Sequence, residues 1–393
     1  MTPSKLAVSL CLYLALCVIA RGQSLVITHG GLYQGTFNSD DPETPAVTIS
    51  TAEPVTLLHC VISGRGDLIA AYTPGANLSV LDCVVTANNP NIRGRQKGCG
   101  IVIHNPAEVY ISNNRIEGAY YGVCIANGTG TPPTNAPISV WGNQIRNTDG
   151  RPSNGHGGYL STMAADGTDD NGYSHGIVFL GVHQDPNVTV AWNELINEPG
   201  KSASSDPINI YGSSGTSWSP ISIANNYIQG QFPEKPNAPR QNGNAIITDD
   251  PTPIESEAPE WVDIVENQAV GCVGGIALYA GLHISAANNR VVSSDLQPNG
   301  KYYPTGSVGI LIFDPTPGTG YAQMNFAHDN VIGTMDALTH ARNDVGFQAA
   351  YLTTQSYNEQ SLHNGVITKS DEQNEYRIWL QKVKAAGEVI GPR

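Results

Sequence analysis

Charge is scarce in this sequence. Asp, Glu, Lys and Arg make up 14% of the 393 residues, and 20 Lys and Arg face 34 Asp and Glu, for a net charge of −14. So few cations disfavour nucleic acid and other loosely held polyanions, which are bound by neutralising their charge. An anionic sugar in a locally basic groove stays allowed. Long amphipathic helices are missing before residue 371, which leaves turns and short strands as the material of the fold, in keeping with 42 Gly and 26 Pro. Serine-triad, P-loop, dinucleotide and zinc-finger signatures are absent, so no nucleotide or redox cofactor is implied. One apolar run stands out, Leu6 to Ala20 behind Lys5, and it is too short for a comfortable membrane span. With Ala20-Arg21-Gly22 before Gln23 it predicts a signal segment over 1–22 and a secreted or periplasmic mature chain. Its removal leaves Cys60, Cys83, Cys99, Cys124 and Cys272, an odd set in which at least one thiol is unpaired.

What the chain does have is a recurring cassette: an alternating apolar run ending in Asn, one residue, then an aliphatic residue. It reads Val-Tyr-Ile-Ser-Asn-Asn-Arg-Ile at 109–116, Val-Trp-Gly-Asn-Gln-Ile at 140–145, Ile-Ala-Asn-Asn-Tyr-Ile at 223–228 and Ala-His-Asp-Asn-Val-Ile at 327–332. The slots are Asn114, Asn143, Asn193, Asn226, Asn267, Asn289, Asn330 and Asn364, and the shortest step, Asn267 to Asn289, is the length of one coil. Cys60 and Cys83 fit the same slot upstream, where either a disulfide or a stacked pair of buried thiols fits. A second alternating strand follows each cassette behind a small residue, as in Gly-Ile-Val-Ile at 100–103, Gly-Ile-Val-Phe at 176–179 and Gly-Ile-Leu-Ile at 309–312. Strands stacked about 4.8 Å apart put like slots in register, so Asn amides can bond one another along the axis.

These cassettes resemble the right-handed parallel β-helix superfamily, the architecture of pectate lyases, polygalacturonases and phage tailspikes, over roughly residues 45 to 368. The resemblance implies an all-β, single-stranded solenoid and, more weakly, work on polysaccharide. The expected divisions are a signal at 1–22, a cap or lead-in at 23–50, the β-helix at 51–368 and a helical cap or tail at 369–393. A helix is predicted in the tail because Tyr376, Trp379, Leu380 and Val383 recur at helical spacing.

Registering the second strands on Ile101, Val123, Ile177, Ile208, Ile246, Ile276 and Ile310 gives an inward column and, three residues on, an outward one: His104, Ala126, Leu180, Tyr211, Asp249, Tyr279 and Phe313. Rings beside acids suit a sugar groove, because pyranose faces stack on aromatics while carboxylates take hydroxyls or protons. Rings packed under a loop and acids capping turns are an equal alternative. Asp250 and Asp314 stand two coils apart, somewhat under about 10 Å, near the upper separation of an inverting glycosidase pair. His175 and Asp206 share a slot on neighbouring coils, where the carboxylate would fix the imidazole tautomer and favour its cation.

The acidic loop Asp166, Asp169 and Asp170 could bind Ca²⁺, which the pectate-lyase resemblance would use to neutralise a uronate. Arg240 and Lys301, with Arg93, Arg95 and Lys97, could hold a sugar carboxylate or supply a lyase base. Asn147-Thr148-Asp149, Asp169-Asp170 and Ser174-His175-Gly176 are similar to polygalacturonase motifs in order, but the last two are only five residues apart and no Arg-x-Lys follows. The expectation is a secreted polysaccharide lyase or glycoside hydrolase whose partner is a poly- or oligosaccharide. The alternative is a non-catalytic carbohydrate-binding, adhesin or surface-structural solenoid, and oligomeric state is left open.

Overall fold

The structure is a computed structural model and describes residues 22–127, 137–162, 173–183, 185–231, 243–249, 258–315, 322 and 324–393. The expected signal therefore lies almost wholly outside the described residues. The strands form three parallel sheets of 11 strands each, and every coil gives one strand to each sheet. Asp206–Tyr211, Ile221–Ala224 and Tyr227–Gln231 make one such coil. The chain is thus a right-handed parallel β-helix with a C-terminal helix. Its core is a stack of like residues: Val123, Ile177, Ile208, Ile246, Ile276 and Ile310 pair coil to coil and are fully buried.

The glycine before four of these aliphatics, at 122, 176, 275 and 309, has a steric cause. A Cβ on Gly176 would sit 2.5 Å from Leu195 Cδ2 in the core and 2.7 Å from the Pro207 carbonyl of the next coil. Positions 176 and 177 therefore both face the interior, the strand bends there, and residue 175 is turned onto the outer face.

The Asn cassette forms a buried ladder. Each slot residue presents Oδ1 to the backbone N–H and Nδ2 of the Asn one coil earlier, at 2.8 to 3.0 Å from Asn114 through Asn330. Each Nδ2 also donates to a carbonyl of the preceding coil, so donor and acceptor capacity is used up in the interior. The residue just before each slot takes positive φ, as at Asn113, Gly142, Asn225, Asn288 and Asp329. Asn, Asp and Gly tolerate this conformation best, which is why the cassette so often reads Asn-Asn.

The structure differs from the sequence reading at both ends. Asn364 is not the eighth slot: Asn358 takes the positive φ and Glu359 follows it, accepting from Asn330 N at 2.8 Å and Nδ2 at 3.2 Å. A carboxylate accepts without needing to donate, which suits the last rung. The segment expected as a lead-in over 23–50 supplies strands Leu25–Ile27, Gly31–Tyr33, Thr36–Ser39 and Val47–Ile49, members of all three sheets. Cys60 and Cys83 are stacked free thiols, Cys60 N donating to Cys83 Sγ at 3.3 Å.

The C-terminal helix, Lys369–Ala386, begins at a Thr368–Asp371 capping box and ends at Gly387 in the left-handed region. It lies along the flank of the solenoid. Glu375 takes two 2.7 Å bonds from Arg290, Trp379 Nε1 donates to the Asn225 carbonyl at 2.9 Å, and beyond the helix Trp141 Nε1 donates to Glu388 and Arg393 N to Asp82. The tail thus runs back from the coil of Arg290 to that of Asp82 as a strap. The turn Ala350–Gln355, which buries Leu352 in the core, covers the last coils instead. No described helix is long and apolar enough to cross a membrane.

Candidate functional site

The sheet that begins at Leu25–Ile27 is called the first sheet below, and its outer face carries the chemistry. Three columns run along it. The middle one, Ala70, Val102, Cys124, Val178, Asn209, Ile247 and Ala277, is nearly buried. The leading column contains Tyr121, His175 and Asp206, paired coil to coil. The trailing column contains His104, Ala126, Leu180, Tyr211 and Asp249 in register. Tyr279 and Phe313 follow on the next coils with rings stacked 4.5 Å apart at 8°.

His175 and Asp206 are each about 5% exposed. His175 Nδ1 lies 3.0 Å from the Asp206 backbone carbonyl, which can only accept, so Nδ1 carries the proton and Nε2 is left with its lone pair. Tyr121 stacks on the ring at 5.3 Å. The Asp206 carboxylate is 3.7 Å from Nδ1, and it accepts from Asn244 N at 2.7 Å and Ser205 Oγ at 2.8 Å.

Burial overrides the expectation that the imidazolium is favoured. Desolvation pulls His175 down to about 4 and pushes Asp206 up to about 6. Below about pH 4 the carboxyl is protonated, and above about pH 6 the imidazole is neutral. At no pH do both charges dominate, so the short distance is not an ion pair. Asn209, on the same strand as Asp206 and 3% exposed, presents an Oδ1 with no partner among the described residues.

The other predicted residues separate. Asp314 is buried, with its backbone N donating to Gln348 Oε1 at 2.9 Å and its carboxylate accepting from Tyr351 OH. Burial, followed by the nearby Asp249 charge, raises Tyr279. Lys301 is exposed in the turn after the strand Arg290–Ser293, its backbone bonded to Asn299 and Gln297. Asp250, Arg240, Asp166, Asp169 and Asp170 lie outside the described residues. Asp149, of the polygalacturonase-like motif, is fully buried and saturated: Lys97 Nζ at 3.1 Å, Arg151 Nε at 2.7 Å and Arg151 Nη2 at 3.0 Å. With the Tyr159 ring over Arg151 at 4.2 Å, it locks a loop rather than facing a groove.

Two features escaped sequence reasoning. Asn209 sits between core aliphatics in Pro-Ile-Asn-Ile, and only the alternation of that strand marks it as outward. Trp218, 80% exposed, tips a turn closed by reciprocal Thr216 and Ser219 backbone bonds, seven residues past Tyr211 at the end of the strand Asp206–Tyr211.

No family model matches the chain, and no curated protein does. Among solved structures it is similar to the Dettilon tailspike protein, at 15% identity and a TM-score of 0.44, over 85% of this chain. The match spans 62% of that protein's chain, less than two thirds of its length.

Proposed function

We propose that the protein is a secreted or periplasmic carbohydrate-active protein that binds a glycan along the outer face of its first sheet and cleaves it by hydrolysis. The observation that carries this reading is the Asp206 carboxyl, pushed up to about 6, beside the neutral His175, on a face whose trailing column offers Tyr211, Tyr279 and Phe313. A carboxyl that holds its proton into the weakly acidic range suits protonation of a glycosidic oxygen. His175 Nε2 accepts a sugar hydroxyl, and the rings take pyranose faces. Asp249, in the trailing column of that face, and its chain neighbour Asp250 are the candidates for activating water.

The test is depolymerisation of a panel of neutral and uronate polysaccharides, with and without Ca²⁺, followed by reducing ends and by absorbance near 232 nm. Reducing ends without new absorbance, lost at least a hundredfold in Asp206→Asn, support hydrolysis. Unsaturated product would make it a lyase and move attention to Lys301, Arg240 and the 166–170 acids. Binding without product would leave a carbohydrate-binding solenoid.

A further inference from the structure

A second concavity lies on the same face, toward the N-terminal coils; its lining residue Tyr120 touches Tyr121, whose ring stacks on His175. It is a cavity of about 500 Å³ under the segments that carry Pro42 to Pro45 and Gly94 to Gly98. That volume falls within the roughly 300–1,000 Å³ of small-molecule sites. Six of its side chains matter: Asp67, Tyr72, Arg95, Gln96, Lys97 and Tyr120. Tyr72 and Tyr120 supply ring surface, and Tyr72 meets His104, the start of the trailing column, edge-on at 5.4 Å.

The polar groups are held in place by partners of their own. Asp67 accepts from Tyr72 OH and, at 2.7 Å, from Cys99 N. Arg95 Nη2 reaches the Pro42 carbonyl at 3.2 Å and Nη1 pairs with Glu43 at 2.8 Å, so it walls the cavity. Gln96 Nε2 donates to the Gly150 carbonyl at 2.8 Å, and Lys97 is fixed by Asp149 at 3.1 Å. Gln96 Nε2 and Lys97 Nζ are spent on the loop at 149–150, so the fixed polar groups bordering the space are the Asp67 carboxylate, the Tyr72 hydroxyl and the Arg95 guanidinium, which need no ordering when a ligand arrives. The lining charges balance, Glu43 and Asp67 against Arg95 and Lys97, so the cavity has no preference for a charged guest. Its mixture of donors, acceptors and ring faces matches a polyhydroxylated ring.

We infer that this cavity is a separate binding pocket for one or two neutral pyranose units, at the N-terminal end of the face read above as a glycan groove. The inference rests on the glycan reading in this respect alone, that the pocket and the groove share one face. It assigns Tyr72 and Arg95 as positioning residues for a sugar unit on the N-terminal side of the site of cleavage.

The full chain is titrated calorimetrically with glucose, galactose, mannose and rhamnose, their common disaccharides, and glucuronate as a charged control. The expected result is one-to-one binding of a neutral sugar, weakened tenfold or more by Tyr72→Phe, which keeps the ring, and by Arg95→Ala, both with unchanged melting. Asp206→Asn should retain that binding even though it abolishes polymer cleavage. The inference is overturned if no neutral sugar binds, if glucuronate binds in preference, if both variants bind as the wild type does, or if Asp206→Asn loses the sugar. Sugar binding in a protein inert toward every polymer would sink the cleavage reading and leave the pocket standing.

Discussion

His175 and Asp206 set opposing pH dependences. His175 moves from 6.5 to about 4 on folding, so the unfolded chain binds the extra proton between these values and stability rises with pH across that window. Asp206 moves from 3.8 to about 6, so the folded chain holds the extra proton and stability falls as pH rises through its window. Between about pH 4 and 6 the two slopes largely cancel. Asp206→Asn should unmask the histidine slope, with stability climbing by about 3 kcal/mol from pH 4 to 6.5, and His175→Gln should show the opposite trend. Urea titrations at several pH values read both. The shared slot of these residues was legible in the sequence, but the sign of the histidine shift was not, because it depends on how completely the neighbouring coils exclude water. The ladder is a second matter of single residues. Asn226→Ala strips Asn193 of its acceptor and leaves buried groups unpaired, and about 3 kcal/mol should be lost in equilibrium unfolding.

At the scale of elements, the cassette was readable because two local requirements coincide in it, a residue that tolerates positive φ and an amide that bonds up and down the stack. Where another residue meets the same requirements, the letters mislead. Trp192 and Glu266 take the positive φ in place of Asn, and Glu359 replaces the amide at the last rung, so Asn364 was mistaken for a slot. The helix was visible from its spacing, but its seat was not, because Trp379 packs against Tyr227, which lies far away in sequence. Trp379 is fully buried and its indole N–H is bonded, so Trp379→Ala should cost about 4 kcal/mol and release the strap. Faster proteolysis near residue 369, with the solenoid left intact, would mark that release.

For the whole molecule, repetition places distant residues in columns, so the fold and most of the face could be read from spacing alone. What spacing could not supply is the loops that cover the face, and with them burial: Asp314 and Asp149 look like free acids in the sequence and are bonded inside the structure. The central claim is that a glycan lies along the first sheet. Hydroxyl-radical footprinting with the tightest-binding polysaccharide of the panel tests it most directly. Tyr211, Tyr279 and Phe313 should lose reactivity together, while Tyr110 and Tyr357, exposed on the sheet that begins at Gly31–Tyr33, keep theirs. Protection of Tyr110 or Tyr357 with the first-sheet column unchanged would contradict the account.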